Sequence, residues 1–106
     1  QETLASLGMP REIVMRHRTP HFAHVFSGDS YSAGYYSYLW SDALTADAAE
    51  VFEATGSYYD ADVSQRLHDH IMSVGATIDP GEGFRAFRGR DVDTKALLRK
   101  RGFPVD

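Results

Sequence analysis

The sequence predicts an all-α protein of one domain's size, on three observations. The chain has 106 residues, of which 42% are hydrophobic and 25% charged, as is ordinary for a globular protein. Most glycines and prolines fall between apolar segments with helical spacing. Residues 79–82 combine an N-cap aspartate, a proline at the first helical position and a capping-box glutamate. These patterns favour several helices joined by short connections.

The composition argues against several classes of function. A net charge of −4 disfavours a nucleic-acid binder, which usually presents a basic face. No apolar run is long enough to span a bilayer, and no signal-peptide pattern opens the chain. The lack of cysteine rules out disulfides and thiolate metal sites. We therefore expect neither a nucleic-acid nor a membrane partner.

The first quarter of the chain predicts only short helical pieces. Residues 2–8 are typical of a helix that stops at Gly8, and a further turn can begin at Pro10. Pro20 disfavours helix at the residue before it. Residues 19–28 are therefore predicted to be mostly extended or irregular.

A long helix is predicted to follow. Asp29 or Ser30 is its N-cap, it runs to about Thr55, and Gly56 is its C-cap. Its one weak point is Gly34, because glycine is a poor helix former. Apolar residues lie on more than one face of this helix, which predicts that it is buried on several sides.

Three shorter helices are predicted in the second half, each between a capping residue and a glycine stop. The cap and stop pairs are Asp60 and Gly75, Asp79 and Gly89, and Asp93 and Gly102. Cations are frequent in the last quarter of the chain, and we interpret them as solvated surface beside Asp91 and Asp93. They are Arg85, Arg88, Arg90, Arg99, Lys100 and Arg101.

The most distinctive stretch is residues 20–40, where a loop built on Gly28 leads into a tyrosine-rich segment. Tyr31, Tyr35 and Tyr38 recur at i, i+4 and i+7, so their side chains would share one face of a helix. A core can be built from Leu and Phe alone. So much tyrosine therefore indicates that the hydroxyls have hydrogen-bond partners.

This stretch resembles the C-terminal active-site segment of the M3 zinc metallopeptidases, the thimet oligopeptidase group, and above all their bacterial peptidyl-dipeptidase (dipeptidyl carboxypeptidase) branch. The matching residues are Pro20, Phe22, His24, Gly28, Tyr31, Ala33, Gly34, Tyr35, Tyr36, Tyr38, Leu39 and Trp40. The resemblance continues through Ser41–Asp42, Asp47, Gly75, Asp79–Pro80, residues 84–90 and residues 97–102.

The resemblance implies that residues 1–106 are the helical C-terminal part of a larger, mostly helical, zincin-like catalytic domain. Residues 20–40 would be its active-site Gly/Tyr loop and the start of the long helix. The implied activity of the whole enzyme is hydrolysis of short peptides with release of C-terminal dipeptides. Its partners would be the peptide substrates and the remainder of the catalytic domain.

Catalytic roles are implied for Tyr38, Tyr31 and His24. A tyrosine hydroxyl could donate a hydrogen bond to the oxyanion of the tetrahedral intermediate, a contribution of roughly 3–4 kcal/mol. The alternative is that the tyrosines simply pack, with their hydroxyls bonded to backbone. His24 could bond to substrate or intermediate, or it could be a structural histidine bonded to the loop.

Substrate binding is implied for Tyr31, Tyr35, Gly28 and Gly34. The glycines flank Tyr31 and could absorb the dihedral changes of a loop that closes over an extended peptide. The alternative is that they are ordinary turn and packing glycines.

No metal site is expected in this chain. Enzymes of the family carry HExxH plus a further Glu ligand, and none of the five histidines here precedes a glutamate. His17, His21 and His24 have the spacing of a helical metal face, but Pro20 would break that helix. The zinc ligands implied by the resemblance would lie in a missing N-terminal part, so the chain alone is expected to be inactive.

The sequence also bears on self-association, on cellular location and on an alternative function. The isolated chain is expected to self-associate, or to be loosely packed before Ser30. A cytoplasmic location is implied, with a periplasmic one left open because any signal would lie upstream of Gln1. The rival function is a stand-alone helical interaction module with a Tyr-rich docking face, since tyrosine is enriched at binding hot spots.

Overall fold

The computed structural model describes residues 1–105, which form helices and turns and contain no strand. The predicted all-α class is confirmed. The chain divides into two compact units, Gln1–Tyr36 and the part from Ser37 onward. The division falls inside the predicted 20–40 segment. Among residues 1–105, no helix has both the length and the apolarity that a membrane span requires.

The first unit contains only short helical elements, and none of its residues is buried. They are α1 (Glu2–Ser6), a 3₁₀ turn at Thr19–His21, α2 (Ala23–Phe26) and a 3₁₀ turn at Asp29–Tyr31. The prediction that residues 19–28 are mostly extended or irregular is therefore wrong. Pro20 lies within the first turn of its 3₁₀ segment, where a missing N–H removes no helical hydrogen bond.

The long helix α3 spans Ser37–Thr55 and so begins later than the predicted caps at Asp29 and Ser30. The intervening sequence favours turns. The Ser32 hydroxyl donates to the Asp29 carbonyl oxygen at 3.0 Å, a local bond that competes with helix formation. Gly34 adds the low helix propensity of glycine in the same segment.

One face of α3 is buried, through Ala43 and Ala46. Helix α6 (Lys95–Lys100) packs against it, and Ala96 and Leu97 complete this small core. Other large apolar side chains of α3 stay more than half exposed: Tyr38, Leu39 and Trp40. Asp47 is the third buried residue of α3, and Leu44, Ala48 and Val51 on other faces are half-buried. The predicted burial of α3 on several sides is therefore found only in part.

Helix α4 spans Ala61–Leu67 and continues as a π-helical turn at His68–Met72. The Asp60 side chain caps it by accepting a hydrogen bond from the Val63 N–H at 2.9 Å. The cap was predicted from the sequence, and an aspartate there satisfies one of the N–H groups left open at a helix start.

Helix α5 spans Pro80–Arg88 and packs against the π-helical turn. Asp79 caps it by accepting from the Glu82 N–H at 3.0 Å, and Gly89 ends it with a left-handed φ of 82°. Both ends match the prediction. The helix approaches the π-helical turn so closely that a Cβ added at Gly83 would lie 2.6 Å from the His70 carbonyl oxygen.

Candidate functional site

Four rings of the first unit form one cluster, which we call the aromatic cluster: Phe22, His24, Tyr31 and Tyr35. The ring of His24 lies 6.0 Å from that of Tyr31 and 5.8 Å from that of Tyr35, centroid to centroid. The two tyrosine rings are 5.8 Å apart, and Phe22 meets Tyr35 edge-on at 4.6 Å. Edge-to-face geometry at these distances is favourable for aromatic pairs.

Local turns build this cluster. His24 lies in α2, directly after Phe22, which is the N-cap of that helix. The 3₁₀ turn at Asp29–Tyr31 is followed by a further turn, in which the Gly34 N–H donates to the Tyr31 carbonyl oxygen at 3.3 Å. This compact backbone brings Tyr31 and Tyr35 together without a continuous helix.

The two glycines of the predicted loop differ in what their backbone requires. Gly28 is extended, with φ −180° and ψ 172°, a conformation open to any residue. A Cβ at Gly34 would lie 3.3 Å from the Ser30 carbonyl oxygen, so the tight turn favours glycine there. The turn geometry thus gives a packing reason for Gly34 and none for Gly28.

Tyr38 is the second residue of α3 and belongs to the second unit. Because α3 begins only at Ser37, the prediction that Tyr38 shares a helical face with Tyr31 and Tyr35 is wrong. The Tyr38 side chain is 56% exposed. The structure therefore brings His24, Tyr31 and Tyr35 together, and places Tyr38 at the start of a separate, well-packed unit.

The second unit holds a buried charge cluster that the sequence interpretation missed. Asp47 is 0% exposed and its carboxylate accepts four hydrogen bonds. Arg90 donates two, at 2.8 and 2.7 Å. Arg88 Nε donates at 2.8 Å and the Asp93 N–H at 2.7 Å. A buried carboxylate is stable when its oxygens are satisfied in this way.

These bonds determine the protonation of Asp47. Burial acts to raise the pKa of its carboxyl group, but the hydrogen bonds from Arg90, the Asp93 N–H and Arg88 outweigh burial and lower the pKa below its ordinary value. A carboxylate saturated by donors and held ionised is a poor proton acceptor. Asp47 is therefore suited to joining α3 to the α5–α6 connection, and not to acid–base chemistry.

The interpretation of the C-terminal arginines as solvated surface is wrong for Arg88, whose side chain is only 22% exposed. Arg99 is also paired with carboxylates. It donates two hydrogen bonds to Glu50, at 2.7 and 3.0 Å, and one to Asp93 at 3.0 Å. A sequence signal for these pairings existed in Asp47, a charge flanked by Ala46 and Ala48 in the middle of the predicted long helix. A buried charge in such a position requires an opposite charge from elsewhere in the fold.

The side chains that could bind a metal ion were compared with the geometry that a metal site requires. Among residues 1–105, no group of three or more His, Cys, Asp or Glu side chains is arranged to hold a metal ion. His24 is surrounded by aromatic rings, and Asp47 by arginines. The described residues do not fit a zinc site.

Comparison with known proteins identifies the family. Peptidase family M3 matches residues 3–103. Oligopeptidase A of Escherichia coli is 44% identical over 86 residues, which cover 80% of this chain and 12% of that protein. Dipeptidyl carboxypeptidase of Salmonella typhimurium is 35% identical over 104 residues, 96% of this chain and 15% of that protein. The probable cytosolic oligopeptidase A of Arabidopsis thaliana is 39% identical over 84 residues, 76% and 12%.

The chain thus spans 12–15% of the length of these relatives. Identity is higher to oligopeptidase A, whereas the match to dipeptidyl carboxypeptidase covers more of the chain. The family resemblance inferred from the Tyr-rich stretch is confirmed, with relatives named oligopeptidase A as well as dipeptidyl carboxypeptidase. The chain belongs to peptidase family M3.

Proposed function

We propose that this chain is the C-terminal active-site part of a longer M3 peptidase that hydrolyses short peptides. The observation that carries the proposal is the aromatic cluster, in which the ring centroids of His24, Tyr31 and Tyr35 lie within 6.0 Å of one another. These residues belong to the stretch on which the family resemblance rests. Family membership favours this function over a stand-alone interaction module, which has no comparable support.

The proposed roles follow from the chemistry of each side chain. The hydroxyls of Tyr38 and Tyr31 donate hydrogen bonds to the oxygen of the scissile carbonyl as negative charge develops on it. His24 donates from one ring nitrogen to substrate or intermediate. Tyr35 forms part of the substrate wall, together with the backbone at Gly28 and Gly34. Residues 20–40 supply this segment of the active site.

Zinc is the cofactor that the family implies, and it would supply Lewis-acid chemistry at the scissile carbonyl. Since the described residues do not fit a zinc site, we place its ligands in a part of the longer protein outside this chain. The contribution of this chain is then to bind substrate and to donate hydrogen bonds.

The proposed substrates are short peptides, and the proposed product is a C-terminal dipeptide, in line with the relatives named dipeptidyl carboxypeptidase. We propose a cytoplasmic location, in line with the relative named probable cytosolic oligopeptidase A. The periplasmic alternative has no support among these relatives.

The proposal is tested by peptide hydrolysis in the longer protein. Tyr38→Phe removes one hydroxyl and keeps the ring. If that hydroxyl bonds the oxyanion only as charge develops, kcat and kcat/KM should both fall roughly 10²–10³-fold, with KM little changed. Tyr59→Phe is the matched control, because Tyr59 is 94% exposed and has no proposed role.

Two results would contradict the proposal. One is a Tyr38→Phe enzyme with normal kcat, or one whose whole defect is a lower Tm. The other is activity of the 106-residue chain alone, measured with a fluorogenic peptide, or tight stoichiometric zinc binding to it in calorimetry. The isolated chain is expected to give neither turnover nor such binding.

A further inference from the structure

A groove of about 1030 Å³ lies in the first unit, between α1 and residues 9–21. Its lining combines apolar side chains, among them Leu4, Met9 and Ile13, with an excess of basic ones. Three arginines and two histidines line it together with a single glutamate: Arg11, Arg16, Arg18, His17, His21 and Glu2. A concave surface rich in cations, in a chain whose net charge is −4, favours an anionic ligand.

The arginines of this groove are available for a ligand. Residues 11–21 are all exposed, and within residues 1–105 no acidic side chain forms an ion pair with Arg11, Arg16 or Arg18. By contrast, arginines of the second unit such as Arg88 and Arg90 bind a carboxylate of the chain itself. A guanidinium group matches a carboxylate in geometry and can bind it through two parallel hydrogen bonds.

The mixed lining favours an acidic side chain over a small inorganic anion. An inorganic anion would pair with the arginines and leave the apolar side chains of the groove in water. An acidic residue within a peptide satisfies both parts, because its carboxylate pairs with guanidinium while its methylene groups and neighbouring side chains cover apolar surface. The acidic balance of the whole chain argues against a nucleic acid as the ligand.

The groove adjoins the aromatic cluster through His17. This residue lines the groove, and its ring centroid lies 5.1 Å from that of Phe22, which lies 5.4 Å from that of His24. The ring of Phe22 thus separates the groove from His24. Three residues of extended peptide span about 10 Å, a length on the scale of this separation. A peptide with its scissile bond at His24 would therefore place a residue about three positions away in the groove.

We propose that this basic groove binds the side-chain carboxylate of an aspartate or glutamate in the peptide substrate, with Arg16 and Arg18 as its main ligands. These two arginines flank His17, whose ring meets the aromatic cluster. The proposal rests on the proposed peptidase function and narrows its substrate class to short peptides that carry an acidic side chain.

The position of the acidic residue follows from the same separation. Release of a C-terminal dipeptide leaves two residues beyond the scissile bond, too few to reach a groove about three positions away. The acidic residue therefore lies on the N-terminal side of the scissile bond. The terminal carboxylate of the substrate is a different group and has no role in this groove.

The binding test uses the 106-residue chain and nuclear magnetic resonance titration. Two probes with both termini blocked are compared: N-acetyl-Ala-Glu-Ala-Ala-amide and the same peptide with glutamine in place of glutamate. The glutamate peptide should shift the amide signals of residues 9–21 and bind about tenfold more tightly than the glutamine peptide, as expected for a hydrogen-bonded charge pair. This comparison needs no variant of the chain.

The variant Arg16→Gln/Arg18→Gln should bind the two peptides equally weakly. Both arginines are exposed, so the fold should persist, which circular dichroism checks. Lys100→Gln is the matched control, because Lys100 is an exposed cation on α6, outside the groove. Its preference for the glutamate peptide should equal that of the unaltered chain.

Several binding results would overturn the assignment. These are no shift of residues 9–21 by the glutamate peptide, equal binding of the glutamine peptide, or an unchanged preference in the double variant. Displacement of the glutamate peptide by inorganic phosphate at equal concentration would also overturn it, since the groove would then bind any anion.

Hydrolysis by the longer protein tests the position of the acidic residue. A peptide with glutamate three residues before the scissile bond should have about tenfold higher kcat/KM than its glutamine counterpart. Moving the glutamate into the released dipeptide should remove this advantage. An equal advantage at both positions, or none at either, would refute the acidic preference and leave the peptidase function intact. A longer protein without peptidase activity would refute the proposed function, and the binding preference of the chain would still be measurable.

Discussion

Arg90 forms a two-pronged ion pair with the buried carboxylate of Asp47, Nη1 to Oδ2 at 2.8 Å and Nη2 to Oδ1 at 2.7 Å. The two residues are 43 positions apart in the sequence. The pair therefore joins the middle of α3 to the connection between α5 and α6. Removing one charge of a buried ion pair leaves the other buried without compensation, which is strongly destabilising. Substitution of Asp47 is therefore a sensitive test of the stability of the second unit.

Asp47→Asn should strongly destabilise the second unit. The amide cannot accept the four hydrogen bonds and removes the negative charge shared by Arg88 and Arg90. Because Arg90 is 40% exposed and Arg88 keeps Glu50 at 3.9 Å, the cost should lie near the lower end of the about 3–5 kcal/mol of a fully buried pair. Urea denaturation followed by circular dichroism measures this. Asp42→Asn is the control. It removes the exposed Asp42–Arg101 pair, which should cost less than about 1 kcal/mol. Equal effects of the two substitutions would contradict the role assigned to Asp47.

The same ion pair predicts a loss of stability in acid. The pKa of Asp47 is lowered from 3.8 in the folded chain, because hydrogen bonds from Arg90, the Asp93 N–H and Arg88 outweigh the opposing effect of burial. The pKa of Asp93 is lowered too, mainly by Arg99 and the Lys95 N–H. The stability from these carboxylates is present above the unfolded pKa of about 4 and is lost as pH falls toward the folded pKa.

Urea midpoints measured between about pH 7 and pH 2 should therefore fall below about pH 4. The Asp47→Asn variant should show a smaller fall, because it lacks the ionised group. If the urea midpoint of the variant fell as steeply below about pH 4 as that of the unaltered chain, the loss of stability would belong to other carboxylates.

Gly83→Ala should destabilise the packing of α5 on the π-helical turn. The new Cβ would lie 2.6 Å from the His70 carbonyl oxygen, and relieving that clash should cost about 1–3 kcal/mol. The loss would appear even though alanine favours helix over glycine by about 1 kcal/mol. Ala86→Gly, at an exposed position of α5, isolates the propensity effect. A Gly83→Ala chain more stable than its parent would contradict this packing.

The first unit should be far more dynamic than the second. None of the residues 1–36 is buried, whereas α3 and α6 share a core. Backbone amides of residues 1–36 should exchange with solvent rapidly, and those around Ala43 and Ala46 slowly. Exposed apolar side chains such as Trp40 and Leu39 should also promote self-association. Strictly monomeric light scattering together with uniformly slow exchange over residues 1–30 would contradict this expectation.

Local signals in the sequence were sufficient for the ends of several helices. The caps at Asp60 and Asp79 and the left-handed stop at Gly89 all lie where the sequence predicts them. Each depends on a side chain and a backbone group within four residues, or on one dihedral angle. The Tyr-rich stretch was likewise sufficient to identify the family, because its residues are consecutive in the chain.

Tertiary structure decided the rest. Arg88 lies 41 residues from Asp47, and no local rule distinguishes it from an exposed arginine such as Arg11. The helical pattern of the sequence also did not predict that α3 begins at Ser37. Turns through Ser32 and Gly34 form in place of helix there, because no buried contact stabilises a helix over these residues. The sequence by itself determined the family, the helical class and the candidate residues. Only the fold decided which charges are buried together, because Asp47 meets Arg88 and Arg90 through contacts that close after the helices have packed.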